Sequence, residues 1–169
     1  METFHNSSKS QIILTQTENN TTLWIGHLQN DPNDHFGGQT FASPADGILD
    51  NIQLYASAVS YPGEIILSFH EFKKDTRSWG RAIGESTLHV EQSDHRNWIR
   101  FIMPSIRLKK ATVYGFRLQT DKAMVGLGEA AHDTNHPFPF GHEWNASTIN
   151  ESGDFYSYFS LAFKVGMRA

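Results

Sequence analysis

Apolar and polar residues alternate with a period of two along most of the chain. In the segment 48–59, Ile52, Leu54 and Ala56 share one face of an extended chain, and Gln53 and Tyr55 lie on the other. This alternation is typical of β-strands that bury one face and expose the other. No long window places apolar residues at helical spacing without Gly or Pro, so the sequence predicts an all-β protein.

Eight to ten strands follow from this pattern, separated by turn-forming segments such as 30–38 and PADG at 44–47. The predicted strands are 11–15, 22–28, 39–43, 48–59, 64–72, 84–92, 97–103, 111–120, 123–129 and 155–165. Short strands at this spacing indicate an antiparallel two-sheet β-sandwich of the jelly-roll type. We expect residues 1–20 to form an N-terminal extension or a first edge strand, and residues 21–169 to form a single domain.

Several stretches in order carry a family resemblance. GQTFASPADGILDNIQLYAS contains a Gln-Thr-Phe strand, an Asp-Gly turn and a Leu-x-x-Ile-x-Leu-Tyr strand, and FSLAFKV ends the chain with a closing strand. Together with NWIRFIMPSIRLKKATVYGFRL between them, these stretches make residues 38–165 resemble a family of bacterial jelly-roll modules. Such modules resemble carbohydrate-binding modules, are non-catalytic, and are usually appended to secreted or cell-surface proteins. The resemblance therefore implies a binding function.

Composition and charge narrow the classes of partner. The formal net charge is −4, which argues against nucleic acid as a partner because phosphate backbones are bound by basic faces. No apolar run approaches the roughly 20 residues of a membrane-spanning helix, so we expect no membrane span. The start of the chain lacks the basic and apolar regions of a secretory signal. The compartment stays open, and the family resemblance favours the cell surface or the extracellular space.

The segment 128–155, GEAAHDTNHPFPFGHEWNASTINESGDF, is predicted to be a long ordered loop with three histidines. His132, His136 and His142 are candidate ligands of a transition metal, because imidazole and carboxylate are its usual ligands. Alternatively, these side chains hydrogen-bond the backbone of their own loop. A loop of this length is usually functional.

Three short acids beside turns, Asp46, Asp50 and Asp154, are candidate oxygen ligands of a structural calcium ion. The alternative is ordinary turn chemistry, since Asp46 precedes Gly47 and Asp154 follows Gly153. No cofactor is required by the sequence, and calcium is the possible exception.

Aromatic residues make up 12% of the chain and suggest a surface that binds sugars. Flat rings cover the apolar faces of a saccharide, while amide, guanidinium and imidazole groups meet its hydroxyls. The candidate ligand-binding residues are Trp79, Trp98, Arg100, His142, Trp144, Asn145 and Tyr156.

Three functions follow from these features. A non-catalytic module that binds a glycan or another small polar ligand is the first. A small metal-dependent or lyase-type enzyme that uses the loop histidines is the second. The third is a structural or assembly subunit of a surface or fibre structure, in which the aromatic faces pack against neighbouring copies.

Overall fold

The computed structural model describes residues 9–27 and 30–169, and this part of the chain is built from strands and one short 3₁₀ turn, Gln92–Asp94. The strands are β1 (Gln11–Gln16), β2 (Thr21–His27), β3 (Asp34–Ala42), β4 (Gly47–Tyr61), β5 (Gly63–Lys73), β6 (Ser78–Val90), β7 (Asn97–Leu108), β8 (Val113–Gln119), β9 (Met124–Ala131), β10 (Glu143–Ser147), β11 (Asn150–Tyr156), β12 (Phe159–Leu161) and β13 (Phe163–Arg168).

The strands pair antiparallel in one continuous sheet, which curls into a half-barrel. Its main path runs β1-β13-β4-β9-β2-β3-β8-β5-β6, with β7 beside β4, β12 beside β9, and β10 and β11 beyond β3. The curl brings β6 back over β7, where a Cβ added to Gly84 would lie 2.5 Å from Ile106 Cδ1. The prediction of an all-β antiparallel fold is confirmed, and hydrogen bonding joins the strands into one sheet where two had been expected.

The buried faces follow the predicted alternation. Ile52, Leu54 and Ala56 of β4 have no exposed surface, and their neighbours on the other face are partly exposed. Burying a side chain the size of Ile52 or Leu54 stabilises the fold by about 1.5–3 kcal/mol. The core contains a cluster of phenylalanine rings, four from different strands and Phe138 from the loop between β9 and β10: Phe41, Phe69, Phe116, Phe138 and Phe163.

The first described strand lies at one end of the sheet path, where β1 pairs with β13. The described part of segment 1–20, which was expected to form an N-terminal extension or a first edge strand, contains β1. Residues 1–8, and Leu28 at the end of the predicted strand 22–28, lie outside the described residues.

Three predicted segments differ from the structure. The turn-like segment 30–38 becomes strand β3 from Asp34 onward, because β10 and β8 pair with its two sides. Residues 78–83, which lie outside the predicted strands, begin β6 and pair with β5. The predicted loop 128–155 contains the β10–β11 hairpin, and only the stretch between Ala131 and Glu143 lacks strands.

Candidate functional site

Four aromatic rings form a wall on the outer side of the sheet. Phe72 and Phe155 meet edge to face with ring centroids 5.3 Å apart, and Trp79 lies 5.4 Å from Phe72 and 6.0 Å from Phe155. Trp144 meets Trp79 edge to face at 5.5 Å. The four rings come from β5, β6, β10 and β11, so only the folded sheet brings them together.

Glycine makes room for this wall. Gly115 in β8 lies under Trp79, where an added Cβ would be 2.7 Å from Cζ3 of the indole ring. Gly153 has φ of +67°, a left-handed conformation that other residues rarely adopt, and its position permits close approach to the Trp144 ring. The two indole rings therefore lie close against the backbone at these glycines.

The Arg117 guanidinium packs against both indole rings. Its guanidinium carbon lies 4.5 Å from the Trp144 ring centroid and 5.7 Å from the Trp79 ring centroid, which is cation–π geometry. The Trp144 indole N–H donates to Ser152 O at 2.9 Å, and the ring has no exposed surface. Trp144 thus anchors the wall from within.

A cleft of about 500 Å³ opens beside the wall. This volume is within the range of roughly 300–1,000 Å³ of small-molecule sites. One lip is the β5–β6 turn with Lys74 and Arg77, and the other is the loop 139–142. The remaining lining residues are Thr40, Ala42, Phe72, Val113 and Phe155.

The loop lip is fixed to β3 by backbone hydrogen bonds. Thr40 N donates to His142 O at 2.8 Å, and Ala42 N donates to Phe140 O at 3.0 Å. His142 N donates to the Thr40 hydroxyl at 2.9 Å. The segment 140–142 therefore extends the edge of the sheet, although Phe140 keeps 62% of its side chain exposed.

Histidine and basic residues set the electrostatics of the cleft. The rings of His136 and His142 meet edge to face with centroids 5.4 Å apart. Burial lowers the pKa of His142, and the nearby charge of Arg77 and the neighbouring His136 lower it further. Burial also lowers the pKa of His136. Both imidazoles are therefore neutral at pH 7.

The structure separates the predicted sugar-binding residues into two groups. Trp79, His142 and Trp144 lie in or behind the cleft. Trp98 and Arg100 lie on β7, which pairs with β4 in another part of the sheet. There the Trp98 ring meets Tyr55 edge to face at 5.4 Å and lies under Lys164 Nζ at 4.2 Å. Trp98 is thus a half-buried packing residue.

Three of the predicted contact residues are buried or packed against other residues of the protein. Trp144 is fully buried, so its ring offers no surface to a ligand and supports Trp79 instead. Asn145 Oδ1 is buried and has no donor among the described residues. Tyr156 packs edge to face on Phe159 at 5.3 Å, and burial together with nearby carboxylates raises its pKa.

The predicted metal ligands are dispersed. His132 Nε2 lies 2.7 Å from Glu18 Oε2, so only His136 and His142 of the three histidines are adjacent. Asp46 accepts from Lys110 N, Asp50 accepts from Asn51 and Arg168, and Asp154 accepts from Asn150. Within residues 9–27 and 30–169, no three His, Asp or Glu side chains are grouped to hold a metal ion.

A buried carboxyl pair lies behind the cleft, on β9 and β10. Glu143 has no exposed surface and neither of its carboxyl oxygens has a hydrogen-bond donor among the described residues. Burial and the neighbouring Glu129 raise the pKa of Glu143 well above its ordinary value of 4.5. Glu129 itself accepts from the Thr21 hydroxyl at 2.7 Å. The folded protein therefore favours the protonated form of Glu143.

Of the residues that line the cleft, sequence reasoning predicted only His142. The missed residues include those that supply its rings and charges: Phe72, Lys74, Arg77, Phe140 and Phe155. The sequence did indicate part of this cleft, because KKDTRSW is a basic turn that follows the predicted strand ending in Phe72. That this turn lies beside residues 140–155 depends on pairing between strands that are distant in sequence.

No family model matches the chain, and no curated protein sequence matches it. The assignment of function therefore depends on the cleft. In the part of the chain that the structure describes, no helix has the length and apolarity needed to cross a lipid bilayer.

Proposed function

We propose that the chain is a non-catalytic binding module that holds a saccharide in the cleft between the turn 74–77 and the loop 139–142. In this proposal the curled sheet is a jelly-roll sandwich, as the family resemblance implies. The observation that supports the function best is the cleft itself, in which aromatic rings stand beside hydrogen-bonding groups.

The rings suit the apolar faces of a sugar. Phe72 and Phe155 are partly exposed, and Phe140 is mostly exposed on the opposite lip. A saccharide between the lips would cover these rings and lose little side-chain freedom, because the wall is already packed. Side chains that are already ordered before binding favour affinity, because less conformational freedom is lost when the ligand binds.

Polar groups stand where sugar hydroxyls would need partners. The imidazole of His142 lies on the loop lip, and Lys74 and Arg77 lie on the turn lip. A neutral imidazole offers one donor and one acceptor, which suits a hydroxyl group. The combination of flat apolar rings with such groups favours a saccharide over a purely apolar ligand.

Calorimetric titration with a panel of neutral and acidic oligosaccharides tests the proposal. Phe140→Ala should weaken binding of the responding sugar by about tenfold, equivalent to about 1.4 kcal/mol. The control is Tyr61→Ala, because Tyr61 is also about half exposed, at 50%, but lies outside the cleft. Equal affinities of both variants and the wild type would place the site elsewhere.

Two further outcomes would replace the proposal. Shortening of the oligosaccharide during the titration would favour a lyase-type enzyme. Absence of binding, combined with self-association measured by light scattering, would favour an assembly subunit.

A further inference from the structure

Among the described residues that line the cleft, Lys74 and Arg77 carry positive charge, His142 is neutral, and none is acidic. This differs from the chain as a whole, which has 18 acidic and 14 basic residues. The lining is therefore a local concentration of positive charge on an acidic protein. A cleft lined by one sign of charge concentrates ligands of the opposite sign.

Arg77 is held in place at the lip. Its backbone has φ of +51°, in the left-handed region, so the turn itself directs the residue. Its guanidinium carbon lies 5.9 Å from the Phe155 ring centroid, over one ring of the wall. A planar guanidinium has parallel N–H donors that fit the two oxygens of a carboxylate or sulfate group.

Neither basic residue of this turn has an ion-pair partner within residues 9–27 and 30–169. Asp75 lies on the same turn and is exposed, but it does not line the cleft. The nearest described ion pair, Arg81 with Glu71 at 3.8 Å, involves neither of them. Their charges are thus available to a ligand.

We infer that the saccharide bound in this cleft is acidic, with a carboxylate or sulfate group held by Arg77 and Lys74 while its ring covers Phe155 and Phe72. This inference rests on the proposed function. It adds the charge of the ligand and the residues that select it.

The test compares three oligomers of equal length: a neutral galactan, a galacturonate oligomer and a sulfated galactan. Calorimetry should show the carboxylate or the sulfate oligomer binding at least tenfold more tightly than the neutral one. The acidic oligomer that binds identifies the anionic group. Raising the salt from 50 to 500 mM should weaken that binding by roughly tenfold, because solvent-exposed charges are screened.

Substitutions separate charge from packing. Arg77→Gln should weaken the acidic oligomer by about tenfold and leave the neutral one unchanged, whereas Arg77→Lys should retain part of the difference. Arg81→Gln is the matched control, since Arg81 is exposed on the adjacent strand and does not line the cleft.

Two results would overturn the inference in distinguishable ways. If all three oligomers bind equally, Phe140→Ala weakens them all and Arg77→Gln has no effect, the ligand is a neutral saccharide and the proposed function stands. If none of the three binds the wild type at either salt concentration, both the proposed function and the acidic ligand are wrong.

Discussion

The carboxyl groups of Glu129 and Glu143 are neighbours in the interior, and Glu143 has no exposed surface. Two ionised carboxylates in such a place would repel each other and lose their hydration. A proton on Glu143 removes its charge and so avoids both costs, and the fold therefore favours the protonated form of Glu143. This pair makes the stability of the protein depend on pH.

The stability should fall as the pH rises above about 4.5, the ordinary pKa of Glu143. Its pKa in the folded state is raised, so above that pH the folded protein binds more protons than the unfolded chain. The contribution is complete at lower pH and is lost as the pH approaches the raised pKa.

Glu143→Gln should remove this dependence. We expect the variant to be more stable than the wild type at pH 8, and the difference to shrink towards pH 4. Each unit of pKa shift contributes roughly 1.4 kcal/mol. Urea unfolding between pH 4 and pH 8 measures the difference, with exposed Glu85→Gln as the control. A difference that does not vary with pH would contradict a raised pKa of Glu143.

The packing of the wall should depend on Trp79, which contacts the other three rings. Trp79→Ala removes the contacts with Phe72, Trp144 and Phe155 and should lower the free energy of unfolding by about 3 kcal/mol, the lower end for such truncations because the ring is partly exposed. Trp79→Phe should cost clearly less, because it keeps a ring and removes an indole N–H that is buried without an acceptor among the described residues.

Ligand binding distinguishes the two tryptophan sites. Trp79→Ala should weaken binding of the saccharide along with stability, whereas Trp98→Ala should leave binding unchanged because Trp98 lies on β7. Thermal unfolding and calorimetric titration of both variants provide the comparison. Loss of binding in Trp98→Ala alone would move the site to the β4–β7 face.

Thr40 should control the position of the loop lip. Thr40→Val keeps the shape of the side chain but leaves His142 N–H without its hydroxyl acceptor. A lost hydrogen bond of this kind costs about 1 kcal/mol. We expect faster hydrogen exchange at the His142 amide and weaker saccharide binding.

Thr87→Val is the matched control for this substitution, because Thr87 is exposed on β6 and does not line the cleft. It should leave the exchange of the His142 amide unchanged. If Thr40→Val and Thr87→Val give the same exchange rate at that amide, the Thr40 hydroxyl does not hold the lip.

The sequence by itself determined that the fold is all-β and which face of several strands is buried. Ile65, Leu67 and Phe69 follow one another at every second position, and all three are fully buried as this spacing predicts. In a strand, successive side chains point to opposite faces whatever the fold, so the buried face can be predicted from the sequence alone.

Only the tertiary structure decided the site. Trp144 stands among polar residues in the sequence, yet β10 pairs with β3 and β11 and buries its ring completely. Arg77 and Phe155 line one cleft although they come from distant segments. Such convergence depends on which strands pair across the sheet and how it curls, and local alternation carries no information about either.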